Sequence, residues 1–73
     1  MGIIYSMHAE YRALERGIKK VWIEEAIKSP DKIMGLTEGR KQAIKRVENN
    51  KVISVVYTMV HDNVVVITVY WGE

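Results

Sequence analysis

Two segments near the C-terminal end, Val52 to Val60 and Val64 to Trp71, are apolar at adjacent as well as alternate positions, and only His61-Asp62-Asn63 separates them. A strand that is apolar on both faces belongs in the middle of a sheet with something covering each side. The two segments therefore predict a central antiparallel hairpin. In the first, Ile53, Val55, Tyr57 and Met59 share one face and Val52, Val56 and Val60 the other. Composition agrees, with ten Val and nine Ile against two Leu and no Phe. Such β-branched side chains are stiff and suit a pleated surface.

Ahead of the hairpin the period changes. Ile3-Ile4-Tyr5 is a short candidate strand. Ser6 follows as an N-cap, with Met7, Tyr11, Leu14 and Ile18 as the apolar stripe of a first helix that Gly17 ends. A second helix from about Lys20 to Lys28 buries Ile23, Ala26 and Ile27 and stops at Ser29-Pro30. Ile33 to Leu36 reads as a short strand. Residues 40–48 fit either a helical stripe (Ala43, Ile44, Val47) or a strand. Strand is preferred, because the hairpin needs a partner and Asn49-Asn50 is a good turn.

The expected fold class is α+β, an N-terminal helical hairpin packed on an antiparallel sheet of about four strands. The helices can cover one sheet face only. The other is a candidate surface for a second copy of the chain or another protein, since a large apolar patch rarely stays exposed.

With 73 residues the chain is a single domain, 1–73. A domain of this size hides only about 60% of its unfolded surface, so any site is a surface groove rather than a buried cavity. Without cysteine there is neither a disulfide framework nor a thiolate metal site. His8 and His61, far apart and without an acidic cluster, make no ligand set, so no metal or other cofactor is expected. A glycine-rich phosphate loop and a nucleophile elbow are both absent. No apolar run reaches the roughly 20 residues of a membrane helix, and Met-Gly-Ile-Ile-Tyr is no basic leader. A cytoplasmic protein without a membrane partner is the expectation.

The net charge of +2 is unevenly distributed. Residues 1–31 balance. Residues 32–51 carry Lys32, Arg40, Lys41, Lys45, Arg46 and Lys51 against Glu38 and Glu48, a net +4, and residues 52–73 carry −2. The basic segment is either a phosphate-facing strand or a solvated edge that resists aggregation.

On the first helix His8 and Arg12 stand at i and i+4, with Arg16 one turn on. An imidazole exchanges protons near neutral pH, and a guanidinium grips two phosphate oxygens through its planar fork. The three can handle a phosphate; alternatively, the arginines make ordinary pairs with Glu15 and its neighbours. His61 reads as a turn residue and Trp22 and Trp71 as core or interface aromatics. In the last strands Tyr57, Thr68 and Tyr70 suit sheet packing, although a tyrosine hydroxyl can also orient a phosphate.

The run His8-Ala9-Glu10-Tyr11-Arg12, then Glu15-Arg16-Gly17-Ile18, then Ser29-Pro30 and finally Val66-Ile67-Thr68-Val69-Tyr70 resembles a family of small domains of unknown function. That family is grouped with the RelE/ParE toxin superfamily, and the order of elements also resembles BrnT-type toxins. The resemblance spans His8 to Tyr70. It implies a RelE-like fold and metal-independent RNA cleavage through the 2′-hydroxyl, on free or ribosome-bound RNA, held in check by an antitoxin. In that role His8 would move the proton, while Arg12 and Arg16 would stabilise charge. Thr68 or Tyr70 would orient the scissile group, and Arg40, Lys41, Lys45 and Arg46 would contact RNA. The residues offer no second strong acid or base. A different class of function, a non-catalytic binding or oligomerisation module, fits the same composition.

Overall fold

The computed structural model describes residues 2–73. In chain order the elements are β1 (Ile3–Tyr5), α1 (Met7–Arg16), α2 (Lys20–Lys28), β2 (Lys32–Gly35), β3 (Lys41–Arg46), β4 (Val52–Val60) and β5 (Asn63–Trp71). They form a helical layer on one five-stranded sheet of order β1-β5-β4-β3-β2. The predicted hairpin is at its centre, and residues 41–46 are strand. The turn after β3 places Asn49 and Asn50 at φ 56 and 60, a left-handed conformation that asparagine tolerates.

The sheet has five strands rather than about four, and it is mixed rather than antiparallel. β1 pairs parallel to β5, with Ile3, Ile4 and Tyr5 opposite Val64, Val65 and Val66. A three-residue segment carries too little pattern to show its partner, and a parallel pair needs a long crossover, here everything between β1 and β5.

One irregularity sets which side chains face which way. Val56 opposes Thr68 and Tyr57 opposes Val66, which leaves Ile67 without a partner across the ladder. This bulge reverses the alternation along β5. Val64 and Val66 before it and Val69 and Trp71 after it all pack toward the helices, whereas Thr68 and Tyr70 turn to the opposite face.

The core lies between helices and sheet. Ala9, Ala13, Ile18, Ile23 and Ala26 meet Ala43, Ile53, Val55, Tyr57, Val64, Val66 and Val69. Helix α1 lies over β5 and β1, and α2 over β3 and β4. Of the predicted inward residues, Ile23 and Ala26 are buried and Ile27 is half-buried. Met59 is exposed instead, although Val64 across from it on β5 is buried.

The stripe expected to bury α1 points the other way. Met7, Tyr11 and Leu14 are 90%, 59% and 84% exposed, and of that stripe only Ile18, beyond the helix, is buried. The contact with the sheet is made by Ala9 and Ala13, whose small side chains let the helix backbone settle close to β5. Ser6 anchors this approach. Its Oγ accepts from the Ala9 N–H at 3.0 Å and donates to the Ile67 carbonyl at 3.1 Å, and its own N–H donates to Val66.

The face away from the helices is more polar than the sequence suggests. Gln42, Ile44 and Ser54 are buried on it, with Val56, Thr58, Thr68 and Tyr70 half-buried around them. Residues 72–73 turn back across it. Gly72, at φ 88, accepts from Ser54 Oγ, and Glu73 accepts from Gln42 Nε2 at 3.2 Å.

Candidate functional site

Helical spacing puts His8, Arg12 and Arg16 along one flank of α1. His8 is exposed. Arg12 Nη1 lies 2.7 Å from Glu15 Oε1, and its guanidinium stands 5.5 Å from the centre of the Tyr11 ring. The hydrogen bond from Arg12 holds the Glu15 carboxyl below its ordinary range. Both partners are partly exposed, so the pair is weak and gives way to a better anion.

Arg16 is engaged differently. β1 covers β5 only as far as Val66 and Ser6 takes the Ile67 carbonyl, so from Thr68 onward this side of β5 is an open sheet edge. Arg16 Nη1 donates to the Val69 carbonyl on this edge at 2.8 Å, and Trp71 Nε1 donates back to the Arg16 carbonyl at 2.7 Å. The reciprocal pair latches the end of α1 to the sheet. Arg16 is thus a clamp between α1 and the sheet edge.

Thr68 and Tyr70 lie on the other side of the sheet, turned there by the bulge at Ile67. Tyr70 Oη accepts from Gln42 Nε2 at 3.0 Å, and the same amide reaches Ser54 Oγ at 3.1 Å. The five residues considered for catalysis are therefore two groups: an α1 flank with His8 and Arg12 accessible, and a polar cluster on the helix-free face.

The basic segment divides as well, because alternate residues of β3 face opposite ways. Lys41 and Lys45 are on the helix side, in register with Tyr57 and Ile53; Arg46 is on the other, and Arg40 is exposed in the preceding turn. Lys45 Nζ donates to the Ser29 carbonyl at 2.9 Å and stands 3.6 Å from Asp31 Oδ1. Asp31 also accepts from the Arg46 backbone N–H at 2.7 Å, and this bond, with Lys45 adding to it, holds its carboxyl below the ordinary range. Among the described residues Arg40, Lys41 and Arg46 have no carboxylate partner, so three of the four candidate RNA contacts keep their charge available.

Two features went unmarked in the sequence. Gln42 is the sole glutamine of the chain, and a polar residue one place before the apolar pair of β3 signals a buried network. Tyr5 holds a buried hydroxyl with no hydrogen-bond partner; burial raises its pKa, Glu24 adds to the effect, and Lys20, 4.8 Å from the ring centre, opposes it. Among the described residues no three His, Asp or Glu side chains come together, and no helix is long and apolar enough to cross a membrane.

A search of curated proteins finds no match to this chain. Among solved structures, the chain is similar to the Brucella abortus ribonuclease toxin BrnT, at 18% identity and a TM-score of 0.74, with 100% of this chain and 97% of the toxin covered. At that identity the likeness concerns the fold. The family model for a domain of unknown function, DUF4258, matches residues 5–71, which includes His8, Arg12, Arg16 and both final strands. The chain belongs to the DUF4258 family and has a BrnT-like α+β fold.

Proposed function

We propose that this protein is the toxin of a toxin–antitoxin pair and that it cuts RNA without a metal ion. The observation that carries the reading is the end-to-end likeness of its fold to that of a ribonuclease toxin. Consistent with it, α1 offers an accessible imidazole one turn from a guanidinium whose present partner is easily displaced. In the proposed reaction neutral His8 takes the proton of a ribose 2′-hydroxyl. That oxygen attacks the adjacent phosphorus while Arg12 stabilises the charge gathering on the phosphoryl oxygens. The bond to the 5′-oxygen breaks and a water molecule protonates that oxygen, while His8 returns its proton to solvent, leaving a 2′,3′-cyclic phosphate and a 5′-hydroxyl end. Lys41, on the helix side of the sheet as His8 is, contacts the strand, whereas Arg16 serves the site by keeping α1 seated on β5.

The test compares the wild-type chain with His8→Ala, in purified form on free and ribosome-bound RNA and by expression in growing cells. His8→Ala is expected to lower cleavage by about 100-fold or more while leaving the fold intact. Harmless expression, with no cleavage of either RNA by the wild type, sinks the reading.

A second reading, a protein-binding module, is favoured by one observation: the uncovered apolar row Met7, Tyr11 and Leu14 on α1. In a toxin this is a surface for the antitoxin; in a module it is the whole function. Sedimentation of the chain alone separates these, since a module that binds itself through this row forms a defined oligomer that Leu14→Glu dissolves.

A further inference from the structure

Trp22 on α2 and Trp71 at the end of β5 meet edge to face, with ring centres 5.9 Å apart and planes at 65°. An ammonium group stands over each ring. Lys19 Nζ is 5.2 Å from the centre of Trp22, and Lys51 Nζ is 5.4 Å from the centre of Trp71. Both lysines are exposed, and neither has a carboxylate partner among the described residues. Arg16 adjoins them, since its carbonyl accepts from Trp71 Nε1. Beside Trp71 is a shallow cleft of about 320 Å³ bounded by Lys51, Val52, Trp71 and Gly72. Gly72, at φ 88, turns the chain away here, and nothing lies within 4 Å of where its Cβ would be.

Two indoles with unpaired cations on their faces constitute a particular chemistry. Ring faces hold exposed ammonium groups only weakly, so the lysines are free to move to a stronger partner. A protein interface is depleted in lysine at its centre, where desolvation is costly. Single-stranded nucleic acid asks for the opposite, aromatic surfaces for its bases and nearby cations for its phosphates. A volume at the low end for small-ligand sites admits one planar base and leaves the rest of a strand outside.

We infer that the Trp71 cleft stacks one base of a single-stranded RNA, with Lys19 and Lys51 on the flanking phosphates, and so forms a strand-binding site apart from His8 and Arg12. The inference rests on the RNA-directed reading above and names where the substrate lies. Trp71 is held by its bond to Arg16, so the platform is rigid before RNA arrives.

The test uses a short single-stranded 2′-deoxy oligonucleotide of mixed sequence, which cannot be cut through a 2′-hydroxyl and so reports binding alone. Titrated into the full chain, it should quench tryptophan fluorescence. The double variant Lys19→Gln/Lys51→Gln, whose exposed side chains contribute no helix cap, should keep its circular dichroism and bind about tenfold or more weakly. Its plot of log affinity against log salt should be shallower by about 1.4, for two lost phosphate contacts. In cleavage assays the double variant should raise KM and spare kcat. Absence of quenching by the wild type overturns the proposal, as does unchanged affinity and salt slope in the double variant. If His8→Ala abolishes cleavage while the double variant binds normally, this site is wrong and the ribonuclease reading stands. Quenching that the double variant loses, in a protein that cuts no RNA, keeps the site and removes the reaction.

Discussion

At the scale of the residue, side chains that look alike in the sequence do unlike work. Arg12 and Arg16 are one turn apart on α1, yet one is held by an exposed glutamate and the other by a sheet-edge carbonyl. Arg16→Ala is expected to lower stability by about 1 kcal/mol, the usual loss for a single hydrogen bond, seen as a lower urea midpoint. His8→Ala should leave that midpoint unmoved, so the pair of variants separates fold from chemistry. Ser6→Ala removes both the α1 cap and the bond to Ile67 and should lower stability by about 1–2 kcal/mol. The cap was legible, because a serine just ahead of a helical period has few other uses. The clamp was not, since its acceptor is a backbone carbonyl 53 residues away that no local pattern reveals.

Elements show why α1 was found and yet turned the wrong way. Its ends were marked by Ser6 and Gly17, which sits at φ 67. The largest apolar residues suggest one phase, but the sheet selects the smallest, because alanine permits the closest approach of helix to strand. Enlarging that contact is expected to be harmful: Ala13→Leu should destabilise by about 1–3 kcal/mol through overpacking. Leu14→Ala, on the outward stripe, should fall within about 0.5 kcal/mol of wild type. Chemical denaturation of the two variants checks the orientation directly.

The link between α2 and β3 is sensitive to acid. Asp31 has a folded pKa below its unfolded one, so its contribution is complete above the ordinary aspartate range and is lost as pH falls through the folded value. Asp31→Asn should therefore flatten the acid limb of a plot of stability against pH while leaving its slope near neutrality unchanged. The strand β3 was legible through its neighbours' need for a partner. The opposed directions of Lys41 and Arg46 followed once that strand was accepted, and they mean that a basic run in the sequence is not a basic face in the molecule.

For the molecule as a whole, class and hairpin could be read from apolar patterning, whereas the parallel β1 and the division of the candidate site could not. Both depend on where β5 puts its side chains and edges. A likeness of motif groups Thr68 and Tyr70 with His8, and a single unpaired residue, Ile67, carries them to the other face.

The pairing of β1 with β5 has a consequence in time. Ser6 and Ile67 are 61 positions apart, so the first strand of this fold closes against its fifth. Until β5 exists, α1 has no surface for Ala9 and Ala13, and the helical hairpin has no sheet to cover. Contacts of such long range slow folding. The helical layer and the sheet therefore take shape together, and neither is complete until β5 is in place between β1 and β4.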